Sequence, residues 1–148
     1  MRCVLQKVTR AQVTVNQKTV GDIAHGFVLL LGVTHTDTHK DVEYLAEKIL
    51  KLRLFADLGS DTFMEKNIIE VGGSILIVSQ FTLYGDCSKG TRPSFTDAAK
   101  PDVAKPLYEH FVSYMREKVV EVQTGEFGAH MDVSLTNDGP ITLVLESK

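Results

Sequence analysis

The segment Val78-Ser79-Gln80-Phe81-Thr82-Leu83 ends an apolar run in a cluster of hydroxyl and amide groups. Strand ends that open into long loops are common binding sites, because the strand is rigid and the loop exposes backbone N–H groups. Ser79 and Thr82 could equally do no more than satisfy the turn's own backbone. Lys89-Gly90-Thr91-Arg92-Pro93-Ser94-Phe95 sets two cations, two hydroxyls and an aromatic ring on an irregular stretch. Such a set can contact phosphates and stack a base, or it can be a solvated loop pinned by Phe95. Asn137-Asp138-Gly139-Pro140-Ile141-Thr142 is open to two readings as well. Asp-Gly between alternating apolar strands is a strong hairpin signal, and proline is tolerated at the first position of a strand. Gly-Pro is also bare and lacks the proline N–H, so it can aim two carbonyl oxygens at a closely approaching ligand.

Histidines and cysteines offer less. His35 and His39 straddle a helix start, share no helical face and have no neighbouring glutamate of the H-E-x-x-H kind; His25, His110 and His130 stand alone. Cys3 and Cys87 form no C-x-x-C, which argues against a thiolate zinc site or a disulfide framework and fits a reducing compartment. Nothing matches G-x-S-x-G, a Walker loop or a Rossmann fingerprint. Neither a metal nor a cofactor is expected.

These segments need elements to position them. Period-two alternation through Val4, Gln6 and Val8, then Val13 and Val15, predicts strands, with Asn16-Gln17 as a hairpin turn before Thr19–Ile23. Phe27–Leu31 and Ser74–Val78 are continuous apolar runs of strand length, suited to burial on both faces. Thr38 and Asp41 have the form of a capping box, and Val42, Leu45, Ile49 and Leu52 follow at helical spacing. Residues 57–73 read as a loop punctuated by Gly59-Ser60-Asp61 and Gly72-Gly73. The chain is irregular from Gln80 to about Pro101, and a second helix is expected from Asp102 to Val119 with Val103, Leu107, Phe111, Met115 and Val119 on one stripe. Strands Met131–Thr136 and Ile141–Leu145 close the chain, split by Asn137-Asp138-Gly139-Pro140. Strands before, between and after two helices, without regular βαβ alternation, indicate an α+β protein with a mostly antiparallel or mixed sheet.

Composition bounds the function. The 148 residues suit one domain, and 43% hydrophobic with 24% charged residues is ordinary for a globular protein. No apolar run approaches the roughly 18 residues of a membrane span, and Gln6 and Lys7 interrupt any signal-peptide core, so a cytoplasmic protein with no membrane association is expected. The net charge of -3 lacks the basic surplus of a broad nucleic-acid surface.

Taken together, five ordered segments resemble one family, the D-aminoacyl-tRNA deacylases: Gln6-Lys7-Val8-Thr9-Arg10-Ala11, Ser79–Leu83, Lys89–Phe95, Thr124-Gly125-Glu126-Phe127-Gly128-Ala129-His130-Met131, and Asn137–Thr142. The resemblance runs nearly the whole chain. It implies one deacylase domain over residues 1–148, α+β with a barrel-like sheet and two main helices. It further implies hydrolysis of the ester between a D-amino acid and the 3′-terminal adenosine of tRNA, by a homodimer with active sites at the subunit interface. By motif, Ser79, Gln80, Phe81 and Thr82 would line the scissile ester, with backbone N–H groups around Phe81 and Thr82 as an oxyanion hole. Gly139-Pro140, cis in the family, would reach into the partner's site and select chirality. Phe127 and Met131 would help hold the adenosine with Ala98 and Ala99 nearby, and Lys89 and Arg92 are candidate tRNA contacts. Glycine has no side chain to reject, so leakage onto Gly-tRNA is expected.

Two departures stand out. The family usually has Arg where this chain has Lys7, and a point charge replaces a planar fork, which bears on any role in fixing the Gly-Pro loop. The loop Phe63–Ile69 departs from the family's commoner Lys-Met-Asn pattern and is assigned no role. The rival classes are a non-catalytic nucleic-acid-binding module using the Lys89–Phe95 loop, and a small-molecule esterase.

Overall fold

The structure, a computed structural model, describes residues 1–57, 64–119 and 121–148. Alternation at the N-terminus produces one long strand, β1 (Arg2–Val15). Its buried residues are Cys3 and Leu5, then Val8, then Ala11, Val13 and Val15, so the alternation slips before Val8 and again after it, where the pairing with the last strand shifts register; Val4 and Gln6 are only partly covered. Asn16 and Gln17 take left-handed φ values of 48° and 63°, as a two-residue hairpin loop requires, and lead into β2 (Lys18–Ile23). Strand β3 (Gly26–Gly32) lies antiparallel to the first half of β1. Helix α1 (His39–Lys51) then crosses over to β4 (Ser74–Ser79), parallel to β3. A 3-10 turn (Phe81–Tyr84) and helix α2 (Pro101–Lys118) make a second crossover to β5 (Glu121–Thr124), parallel to β4. The last strand, β6 (Asp132–Glu146), runs antiparallel along β1.

The fold is therefore α+β with a mixed, nearly closed, barrel-like sheet and two main helices, in the order β2-β1-β3-β4-β5 with β6 on the other edge of β1. The crossovers explain the unbroken apolar runs. On one face of β3 and β4, Phe27, Leu29, Ile75 and Ile77 pack with Leu45 and Ile49 of α1 and Phe111 and Met115 of α2. Val28, Leu76 and Val78 face the other way, against Val8, Ala11, Val13 and Ile23 inside the curled sheet.

Helix α2 begins at Pro101, one residue before the expected start, where a missing N–H costs nothing. Its buried face is Ala104, Leu107, Tyr108, Phe111, Val112 and Met115, while Val103, placed on the stripe by spacing, is exposed. Of the loop over 57–73, residues 58–63, with Gly59-Ser60-Asp61 and Phe63, lie outside the described residues. The remainder is turned about Asn67, whose Oδ1 accepts the N–H groups of Ile69 and Glu70, both at 3.0 Å, and it buries Ile68. Among the described residues no helix is long and apolar enough to cross a membrane.

The hairpin expected at Asn137-Asp138-Gly139-Pro140 is absent. Both flanks pair with β1 instead of with each other: Val133 stands opposite Val13, and Leu145 opposite Cys3. A hairpin signal presumes that the flanking strands have no better partner, and 14 residues of β1 supply one. Because Gln6 pairs with Thr142 and Val8 with Asn137, residues 138–141 bulge out opposite the single residue Lys7. The Lys7 ammonium reaches Asp138 Oδ2 at 2.9 Å. Asn137 closes the neck, donating from Nδ2 to Thr142 Oγ1 at 2.8 Å and accepting the Ile141 N–H at 3.3 Å. The Gly139-Pro140 peptide bond is cis. Lys7 thus engages the Gly-Pro loop through Asp138 despite replacing the family's arginine.

Asp41 joins the C-terminal end of the chain to the start of α1. Its Oδ2 accepts the Thr38 N–H at 2.8 Å and the Thr38 hydroxyl at 2.9 Å, and its Oδ1 accepts the Ser147 hydroxyl at 2.8 Å. Burial works to raise the Asp41 carboxyl, but the hydrogen bonds from Ser147, Thr38 and Lys148 outweigh it and hold it at about 2. An unfolded aspartate titrates near about 4, so this contribution to stability is complete above that pH and is lost as pH falls toward 2, of order 2 kcal/mol in all. Urea unfolding at stepped pH should show that loss in the wild type, and Asp41→Asn should flatten it.

Candidate active site

The cleft is built where β4 runs out. The Gln80 N–H donates to the Leu31 carbonyl at 2.8 Å, carrying the parallel ladder one step beyond Ser79 before the chain tightens into the 3-10 turn. Gly32, at the end of β3, lets the turn sit this close: a Cβ there would stand 3.0 Å from the Gln80 carbonyl oxygen and 3.2 Å from Leu83 Cβ. Within the turn, the Leu83 N–H donates to Gln80 O at 3.3 Å and the Gly85 N–H to Thr82 O at 2.9 Å. The N–H groups of Phe81 and Thr82 precede the first of these bonds, at the turn's positive end. The Gln80 side-chain amide donates to the Thr82 hydroxyl. At the far end of the turn, Arg2 donates to the Leu83 carbonyl at 2.6 Å and lies over the Tyr84 ring. Burial, then the negative charge of Asp37, pushes the Tyr84 phenol up to about 12.

A cavity of about 510 Å³ opens in front of this turn. Ser79, Gln80 and Phe81 form one side; Phe95, Ala98 and Ala99 a second; and Phe127 to Met131 the third. The second side is tied to the end of β3, since the Ala99 N–H donates to Val33 O at 2.9 Å and the Thr34 hydroxyl to Asp97 O at 2.6 Å. Tyr108 of α2 reaches under the cleft, with its hydroxyl donating to Ile77 O at 3.0 Å and its ring 5.5 Å from that of Phe127. Burial pushes its phenol up to about 12, so it is a neutral donor. Among the described residues that line the cavity there is no carboxylate, lysine or arginine. What faces a ligand there is apolar wall, hydroxyl, amide, backbone dipole and the imidazole of His130.

The structure thus brings together seven of the residues singled out in sequence: Ser79, Gln80, Phe81, Ala98, Ala99, Phe127 and Met131. Thr82 sits one position further along the turn, its hydroxyl engaged by Gln80. Gly139 and Pro140 do not line this cavity; they ride on the β6 bulge. Lys89 and Arg92 are exposed on a loop outside it, closed by the paired backbones of Asp86 and Ser94. Sequence reasoning missed Tyr108, although its place one helical turn after Ala104 on the buried side of α2 was a signal that could have found it.

A profile of the family described as D-Tyr-tRNA(Tyr) deacylase matches residues 4–146. The chain belongs to this family. It is 58% identical over 147 residues, 99% of this chain and 95% of the relative, to a protein of Thermus aquaticus named D-aminoacyl-tRNA deacylase. A protein of the same name from Halalkalibacterium halodurans is 57% identical over the full length of both chains. A solved structure named c-Myc DNA Unwinding Element Binding Protein superposes with a TM-score of 0.93 at 39% identity, covering 100% of this chain and 99% of its own. Another, of a probable eukaryotic D-amino acid tRNA deacylase, shares the fold with a TM-score of 0.85 at 19% identity over 98% of each chain. Within the matched range, Ser79–Phe81 form one wall of the cavity and Phe127–Met131 another.

Tyr108 tests how the floor is held. The Ile77 carbonyl also accepts the Gly125 N–H at 3.0 Å, so Tyr108→Phe leaves it satisfied. The expected cost is about 1 kcal/mol in urea unfolding, against about 3 kcal/mol had the acceptor been orphaned.

Proposed function

We propose that the chain hydrolyses the ester joining a D-amino acid to the 3′-terminal adenosine of tRNA, releasing the free D-amino acid and tRNA. The observation that carries this reading is the meeting, in one cavity, of the Ser79–Phe81 turn with the Phe127–Met131 wall. The adenosine lies against Phe127 and Met131 beside Ala98 and Ala99, and the ester carbonyl faces the N–H groups of Phe81 and Thr82. An aminoacyl ester is already activated, and each well-aimed donor to the tetrahedral intermediate is worth roughly 3 to 4 kcal/mol. The terminal 2′-hydroxyl of the tRNA assists the attacking water. One feature supports this route over a Thr82 nucleophile. The partner of the Thr82 hydroxyl is the amide of Gln80, a donor that takes up no proton, whereas His130, the imidazole on the cavity wall, is carried by the Phe127–Met131 side.

Selection of chirality is assigned to a second copy. Gly139 and Pro140 lie away from their own chain's cavity, and β6 is largely exposed, so in a homodimer formed along β6 the bulge enters the partner's cleft. There its two carbonyl oxygens hold the substrate's α-amino group against a rigid wall. An L side chain clashes with that wall, a D side chain projects away, and glycine passes. The Lys7–Asp138 ion pair keeps the bulge in place. A cytoplasmic enzyme that serves many tRNAs grips only their common end, which suits a net charge of -3 with Lys89 and Arg92 as the local cations. The same charge weighs against a non-catalytic nucleic-acid-binding module.

The decisive experiment incubates purified protein with labelled D-Tyr-tRNA, L-Tyr-tRNA, Gly-tRNA and free D-tyrosine methyl ester. D-Tyr-tRNA should be cleaved efficiently and Gly-tRNA measurably, with the other two spared. Efficient cleavage of L-Tyr-tRNA would sink the chirality model, equal cleavage of the methyl ester would indicate a general esterase, and binding without turnover a nucleic-acid-binding module. In the same assay Thr82→Ala should keep at least roughly a tenth of wild-type kcat/KM, a loss of no more than about 1.4 kcal/mol. Near-complete loss with intact folding would instead make Thr82 the nucleophile.

A further inference from the structure

Two large aromatic side chains stand uncovered at the mouth of the cleft. Phe81 is 57% exposed and Phe95 39%, and their rings meet edge to face with centroids 5.2 Å apart at 69°. Rings left this exposed forgo burial of order 1 kcal/mol each, and two of them side by side at a cleft mouth mark a surface suited to an apolar or aromatic ligand group. We infer that Phe95, braced by Phe81, is a stacking platform for the unpaired base that precedes the terminal adenosine. The inference rests on the deacylase reading above and extends it from one nucleotide of the tRNA end to two.

The platform is built, not incidental. Gly85 carries no Cβ where one would stand 2.9 Å from Phe95 Cε1, so the glycine leaves the ring its place over the turn. The backbone of Phe95 is fixed on both sides. Immediately before it, Ser94 exchanges hydrogen bonds with Asp86 at 2.7 and 2.9 Å; immediately after, the Phe95 carbonyl accepts the Ala98 N–H at 3.1 Å. A rigid, uncharged ring with an open face is what single-stranded RNA binders use to hold a base without reading its sequence. The pocket that Phe95 helps to line, about 510 Å³, is of a size for one small-molecule moiety, which leaves the preceding nucleotide outside it. The loop that the Asp86–Ser94 pairing closes also carries Lys89 and Arg92, cations suited to the phosphate that joins the two nucleotides.

A substrate ladder tests this: D-tyrosyl-adenosine, the same ester on the dinucleotide CA, and on the trinucleotide CCA. In the wild type the step from one to two nucleotides should raise kcat/KM about tenfold, the worth of one stacked base. Phe95→Leu should erase that step, and Phe95→Trp, which restores a stacking face, should keep it. Thermal unfolding followed by circular dichroism reports that each variant's fold is intact, and the readout is the ratio of kcat/KM between rungs within one variant. Absence of the step in the wild type, or its survival in Phe95→Leu, overturns the inference and leaves the deacylase reading standing. No turnover of any rung overturns both.

Discussion

Everything at the site depends on β1 being paired along both edges. Residues 2–8 hold β3 on one side, residues 11–15 hold β2, and β6 follows nearly the whole strand on the other side. Once β1 has claimed both halves of β6, residues 138–141, which face only Lys7, have nowhere to go in the ladder. They leave it as the Gly139-Pro140 bulge, opposite Lys7. The bulge is thus a consequence of register, and it is held by an ion pair and by Asn137 rather than by strand pairing. The same strand orders the core, because β3 inherits its position from β1, and β4 and its terminal turn inherit theirs from β3.

The cavity is polar mainly through neutral groups. It presents a tight turn whose leading N–H groups have no place in its own hydrogen-bond pattern, surrounded by alanine, phenylalanine and methionine side chains with Tyr108 and His130 among them. Apolar walls exclude water, and dipoles fixed by a ladder need no reorganisation as charge develops. The ionised groups are put to other use. Asp41 with Ser147 and Thr38 fastens the C-terminal end to α1, Asp37 holds the N-terminal ammonium, Arg2 fastens the turn, and Lys7 fastens the bulge.

How much of this was legible depends on whether a signal is local. The Thr38–Asp41 cap, the Asn16-Gln17 turn and the apolar runs of β3 and β4 are decided by residues a few positions apart, and they appear where spacing puts them. Ser79–Thr82 was visible as a polar cluster at a strand end for the same reason. Val103 failed because helical spacing defines a stripe but not which edge of it meets the sheet; that depends on how α2 lies across β3 and β4. Tyr108 was passed over because its hydroxyl has meaning only once the Ile77 carbonyl is beneath it.

The amino-acid sequence alone determined the elements, the family resemblance and the identity of the groups that could do chemistry, since these follow from periodicity, capping and ordered motifs along the chain. It left Asn137-Asp138-Gly139-Pro140 as either a hairpin turn or a ligand-facing loop. Only tertiary structure decided between them, because the choice turned on a competition for hydrogen bonds with a strand more than 120 residues away, in which Val13 and Cys3 outbid the hairpin for Val133 and Leu145. The same long-range pairing decided that Ser79, Ala98 and Met131, scattered across the chain, line one cavity while Gly139 and Pro140 lie outside it.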